Sequence, residues 1–220
     1  MRDPGKTRET LLETAIELVR QSNYDSVGVN EICKRAGVTK GAFYHHFGSK
    51  ADLYCAAADH EWQNIKKTLD TLCSPAFTPL EQLENTIGFV LAEQGGCADG
   101  ADPNTPVEVA GCPFFTCGAH VGVAEEKIRK ATVEMAENGV RYYAGLVRGL
   151  KAEGALNGDP EVMQIARMLF EYMHGLLIYG RVKNSVAAIE ADLREGFYRI
   201  LDLKAEYRRK PVVIQQTEYA

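Results

Sequence analysis

Apolar residues recur at intervals of three and four along nearly the whole chain. That spacing puts them on one face only if the backbone is helical. From Thr7 to Gln21 the apolar positions Leu11, Leu12, Ala15, Leu18 and Val19 line up in this way. A short helix is predicted from about Val29 to Ala36, burying Ile32, Cys33 and Ala36 and stopped by Gly37. Thr39 caps a second short one that reaches about His46. Ser49-Lys50-Ala51-Asp52 has the form of a capping box and opens a long helix towards Cys73. Thr78-Pro79-Leu80-Glu81 opens another, to about Gln94. Gly95 to Gly111 is rich in Gly, Asp and Pro and reads as a loop. Helical spacing resumes near Phe114, then from about Glu125 to Ala152, ended by Gly154. Asp159-Pro160-Glu161 caps a helix running to about Asn184, and Ser185 caps the last, to about Arg209. The predicted class is all-α with about nine helices. A head over 1–50 precedes a body over 51–210 and a tail over 211–220.

Composition narrows the partners. No apolar run approaches the ~20 residues that cross a bilayer, and the first residues lack the apolar stretch of a secretory signal. The expectation is a cytoplasmic chain with no membrane partner. The six cysteines, Cys33, Cys55, Cys73, Cys97, Cys112 and Cys117, are scattered without a CxxC pair and read as free thiols. Net charge is −5, but residues 1–50 carry eight Lys/Arg against six Asp/Glu and the remainder seventeen against twenty-four. A positive head on an acidic body suits a protein that meets phosphates with one end.

Residues 29–46 give that end a shape. Two short helices joined by a tight turn form a helix-turn-helix. Gly37 permits the turn, and Ile32, Ala36, Val38 and Phe43 fix the angle between the helices. The outer face of the second then carries Lys40, Gly41, Ala42, Tyr44 and His45. The small pair Gly41 and Ala42 lets the backbone approach a groove floor. Lys40 can donate to guanine edges or phosphate, and the Tyr44 hydroxyl to phosphate. Lys50 stands where free backbone N–H groups open the following helix, a place suited to a phosphate. Tyr44 and His46 also have a structural reading, packing on the start of that helix.

The run Val29-Asn30-Glu31-Ile32-Cys33-Lys34-Arg35-Ala36-Gly37-Val38-Thr39-Lys40-Gly41-Ala42-Phe43-Tyr44-His45-His46-Phe47-Gly48-Ser49-Lys50 resembles the signature of the tetracycline-repressor (TetR) family, across about residues 7–55. The resemblance implies an all-α homodimer on double-stranded operator DNA. Its third helix would read the major groove, and its last two helices would form a four-helix bundle with a second copy. Lys40, Gly41, Ala42 and Tyr44 then face bases or groove, with Thr39, His45, His46 and Lys50 at or near the DNA backbone. Where the family commonly has Thr opening the second helix, this chain has Val27-Gly28-Val29, so that hydroxyl contact is missing.

The body would hold the dimer and sensing surfaces. Ile165, Leu169, Leu176, Leu177 and Gly180 on one helix, with Leu193, Phe197 and Ile200 on the next, are candidates for the dimer interface; the other reading buries them within one chain. Trp62, Phe89, Cys112, Phe114, Phe115, Tyr142, Phe170, Met173 and His174 are candidates to line a cavity for an unidentified small-molecule effector, although most such residues are core. The Gly111-Cys112-Pro113 lead into a helix is similar to a TetR subgroup that answers electrophiles or oxidants through a cysteine. A helix N-terminus would lower the Cys112 pKa; the alternative is a small buried apolar residue. Cys97, Cys112, Cys117 and His120 match no standard zinc spacing, so neither metal nor cofactor is expected. The resulting function is a repressor released by a small-molecule or thiol-reactive signal. A cysteine-dependent redox enzyme and an activator without effector are the alternatives.

Overall fold

The computed structural model describes residues 4–21, 24, 26–94, 109–120 and 126–208. These form α1 (Pro4–Arg20), α2 (Val29–Ala36), α3 (Lys40–His46), α4 (Lys50–Leu72), α5 (Pro79–Gln94), α6 (Pro113–His120), α7 (Glu126–Ala152), α8 (Val162–Lys183), α9 (Val186–Ile200) and a 3₁₀ turn at Ala205–Tyr207. There is no strand among the described residues, only a single antiparallel bridge between Leu156 and Leu203. No helix there is long and apolar enough to cross a membrane. Most of the predicted loop, Cys97 within it, and the tail over 211–220 lie outside the described residues.

Cap chemistry sets most boundaries. Thr39, Ser49 and Ser185 each accept a backbone N–H at the third helical position, from Ala42, Asp52 and Ala188. Gly37 ends α2 in the left-handed region at φ 62°, which favours glycine. At α8 the capping group is Glu161, whose carboxylate accepts from Met163 N at 2.8 Å and Gln164 N at 2.6 Å. Those bonds hold its pKa below the usual carboxylate range. Two ends differ from expectation. α1 starts at Pro4, because proline lacks only an N–H that a first helical turn leaves unused. α9 stops at Ile200 rather than near Arg209. There Asp202 turns left-handed at φ 47°, and Lys204 N then bonds Ala155 O at 2.9 Å.

The apolar side chains form two cores. One, in α1–α4, gathers Leu11, Leu18, Ile32, Phe43, Leu53 and Tyr54, and also takes Phe114 from α6 and Ile128 from α7. The other joins α5, α7, α8 and α9 around Leu83, Val147, Leu169, Leu193 and Phe197. In this second core Glu84 is buried and held by Arg194 at 3.1 Å and by the Tyr198 hydroxyl. Lys127 at the start of α7 reaches Asp52 at the start of α4, with 2.7 Å between the charged atoms.

Candidate nucleic-acid interface and cavity

Phe43 is fully buried and Phe47 nearly so, which fixes the roll of α3 on α1. The opposite face is open. Thr39, Lys40, Gly41 and His45 are exposed, Tyr44 is 56% exposed, and Ala42 and His46 are half-buried. A Cβ added at Gly41 would meet only the Thr39 hydroxyl, at 3.8 Å, so the helix surface is flat there. Seven of the eight predicted DNA contacts therefore lie in one sequence-contiguous patch on and just before α3. Lys50 is set differently. Its ammonium sits over the Tyr24 ring, 4.6 Å from the centroid, while the Tyr24 hydroxyl donates to the Lys50 carbonyl. This contact holds the ammonium beside the first turn of α4, the place the sequence suggests for a phosphate. Gly28 caps α2 with no side-chain hydrogen bond, as the missing Thr foretold.

A cavity of about 320 Å³ lies between α4, α5, α6, α7 and α8. All nine residues named from the sequence, Trp62, Phe89, Cys112, Phe114, Phe115, Tyr142, Phe170, Met173 and His174, border it. Phe115, His174 and Phe170 form a ring cluster in its wall, with His174 4.6 Å and 3.9 Å from the two phenyl centroids. His174 is buried, which drops its pKa to about 4 and leaves it neutral near pH 7. Tyr142 stacks edge-on with Trp62 at 5.9 Å and donates to Asp70. Sequence reasoning missed Gln94 and Cys73 as lining residues, and the pair Arg20–Glu61, which closes at 2.8 Å between α1 and α4. Nothing local in the sequence marks that pair, since its members are 41 positions apart.

The thiol of Cys112 overturns one expectation. It caps α6 and receives the Phe115 N–H, yet burial outweighs that bond and pushes its pKa up to about 11. By surface area the residue is half-exposed. Both statements hold because the surface left open faces the cavity, away from bulk water. The thiol is therefore protonated at neutral pH. Among the described residues no group of three or more His, Cys, Asp or Glu could hold a metal ion.

The stretch leading into α6 is pinned from two sides. Gln94 accepts from Gly111 N at 2.8 Å and donates to Gly111 O at 3.1 Å. Arg181 donates to Ala110 O at 2.9 Å, and Asn184 accepts from Val109 N at 3.0 Å. One turn on, Phe114 enters the core of the head, where the Tyr54 hydroxyl donates to its carbonyl at 2.8 Å. A single helical turn thus touches both the cavity and the head.

The predicted dimer residues need correction. Leu169, Leu176, Leu177, Gly180, Leu193 and Phe197 are buried inside one chain, and Ile165 and Ile200 pack half-buried on the same core. A Cβ on Gly180 would lie 2.3 Å from Ile189. Once α7, α8 and α9 close on each other, these side chains leave little or no surface to share. The large apolar groups that α8 keeps outside are Met163, Met168, Ile178, Tyr179 and Val182, at 37%, 42%, 43%, 49% and 79% exposure, with Gly175 open among them.

Comparisons with known proteins agree with this architecture. Residues 11–57 match the family described as bacterial regulatory proteins, tetR family. The transcriptional regulator AcuR of Cereibacter sphaeroides is 27% identical over 82% of this chain and 79% of its own. The transcriptional repressor NemR of Escherichia coli K12 is 48% identical over 84% of this chain and 88% of its own. The crystal structure of reduced E. coli NemR superposes with a TM-score of 0.76, covering 90% of this chain and 98% of that one at 23% identity. The NemR comparison carries family and fold. A TetR-family regulator from Agrobacterium tumefaciens superposes at 0.78, with 20% identity over 90% of this chain and all of that one. The chain belongs to the tetR family of bacterial transcription regulators.

Proposed function

We propose that this regulator is a repressor, that it binds a palindromic operator as a homodimer in the cytoplasm, and that a small molecule in the cavity releases it. One observation carries the reading: Cys112, just before α6, lies on the cavity wall, and two residues later α6 places Phe114 in the core that orients α3. Filling the cavity moves a residue on which the head rests. One α3 reads too few base pairs for specificity, whereas two, about 34–36 Å apart, fit successive major grooves.

The test is fluorescence anisotropy with a duplex from upstream of the protein's own gene. Lys40→Ala with Tyr44→Ala should weaken binding about 100-fold while leaving the fold intact, at 1–3 kcal/mol per contact. Unchanged affinity would move the reading face elsewhere. A protonated, desolvated Cys112 favours reversible occupancy over thiol chemistry as the releasing event. Cys112→Ser should therefore keep its response to a non-reactive ligand. A native chain released by a thiol-reactive electrophile and not by any non-reactive ligand, with that release lost in Cys112→Ser, would restore the thiol-reactive reading.

A further inference from the structure

The cavity's border says what kind of molecule it takes. Among the described residues, the charged side chains on that border are Arg20, Glu61 and Glu93. Arg20 is half-exposed and already paired with Glu61, and Glu93 is exposed. No charge lies deep inside, so an ionised ligand would give up its hydration without a buried counter-charge. The deep walls are Leu69, Phe89, Phe115, Met135, Leu146 and Phe170, an aliphatic and aromatic lining. An engineered cavity of roughly 150 Å³ accepts benzene, so the 320 Å³ here admits a two-ring molecule.

The buried polar groups on this border have mostly committed their hydrogens. Thr86 donates to Gln82 O at 2.8 Å and Thr132 to Ile128 O at 3.0 Å. The Tyr143 hydroxyl points at Met173 Sδ at 3.0 Å, and the Gln94 amide is engaged by Gly111 at both ends. His174 is 6% exposed, and its Nδ1 lies 2.8 Å from Phe170 O. A carbonyl only accepts, so Nδ1 carries the proton and Nε2 offers a lone pair. No donor to Nε2 is recorded among the described residues. No buried side-chain nitrogen or oxygen there is sealed away without a partner, so Nε2 is reachable from the space beside its ring, which takes in this cavity and a second hollow edged by Val133, Glu137, Arg141 and Ile178. What the deep site leaves over is therefore lone pairs, on His174 Nε2 and the Tyr143 oxygen. The donors that remain include the second Nε2–H of Gln94, the weak S–H of Cys112 and Cys73 and the indole N–H of the half-buried Trp62.

We infer that the cavity binds an uncharged aromatic molecule of about two rings whose hydroxyl or amino group donates a hydrogen bond to His174 Nε2. The ring cluster of Phe115, His174 and Phe170 supplies the flat wall against which such a molecule stacks. This inference rests on reading the cavity as the effector site, so binding and DNA release must be measured apart.

The experiment is calorimetric titration of the DNA-free full chain with 1-naphthol, 1-methoxynaphthalene and 1-naphthoate. 1-Naphthol should bind about tenfold more tightly than the methoxy compound, which keeps the rings and loses the donor. The naphthoate should bind more weakly still. His174→Phe keeps the ring cluster and should bring the first two affinities together. The inference falls if no probe binds, if the methoxy compound equals 1-naphthol, if naphthoate binds best, or if folded His174→Phe keeps the preference. Should His174→Phe fail to fold, the three probes on the unaltered chain decide the matter. Anisotropy of the operator complex with 1-naphthol is the separate arm. Tight, donor-dependent binding that leaves DNA bound would sink the effector reading and leave the ligand class standing.

Discussion

His174 shows how one residue's surroundings set a property of the protein. Its folded pKa, about 4, lies below the ordinary value of 6.5 because burial disfavours the cation. The unfolded chain therefore binds a proton first as pH falls, and stability is lost between pH 6.5 and 4 and retained above. The loss attributable to this group is on the order of 3 kcal/mol. Urea midpoints measured across that window should slope in the native chain and slope less in His174→Phe; equal slopes would mean that other groups govern the acid response. The residue's identity was legible as a polar group among aromatics. Its tautomer was not, because that depends on the Phe170 carbonyl one turn back.

At the scale of elements, α6 is short and held by partners far away in sequence. Gln94→Ala would strip both hydrogen bonds from the buried backbone of Gly111, whose φ of 69° already suits only glycine. The expected cost is about 1–3 kcal/mol, read as a fall in the thermal midpoint. A midpoint within error of the native one would mean that Arg181 and Asn184 alone hold the segment. Helix starts were legible because Thr39, Ser49 and Ser185 announce themselves locally. The end of α9 was not, since it is set by Leu203 pairing with Leu156, 47 positions earlier.

Across the whole molecule, the head was read from sequence almost residue for residue, and the outer face of the body was not. α8 carries apolar side chains around most of its circumference. Spacing alone does not tell Leu169, Leu176 and Leu177, which face inward, from Met168, Ile178 and Val182, which face out. The nine aromatic and sulfur residues were found because they cluster by type, whereas the border pair Arg20–Glu61 is visible only once α1 and α4 are packed. If α8 joins two protomers, Ile178→Asp with Val182→Asp should give a monomer by light scattering and weaken operator binding by at least tenfold. A dimer of unchanged mass would place the interface on another surface.

The helix proposed to read DNA, α3, does not stand on its own foundation. Tyr54, Ala57, Phe114 and Ile128 belong to the core beneath α1 and α3, although all four lie on helices that also serve the cavity. A hybrid regulator built by splicing residues 1–50 onto another body would inherit the DNA-facing surface and leave the floor under it behind. Grafts meant to redirect this specificity should carry α4 through Ala58 and rebuild the seats of Phe114 and Ile128, or else exchange only the outward side chains of α3.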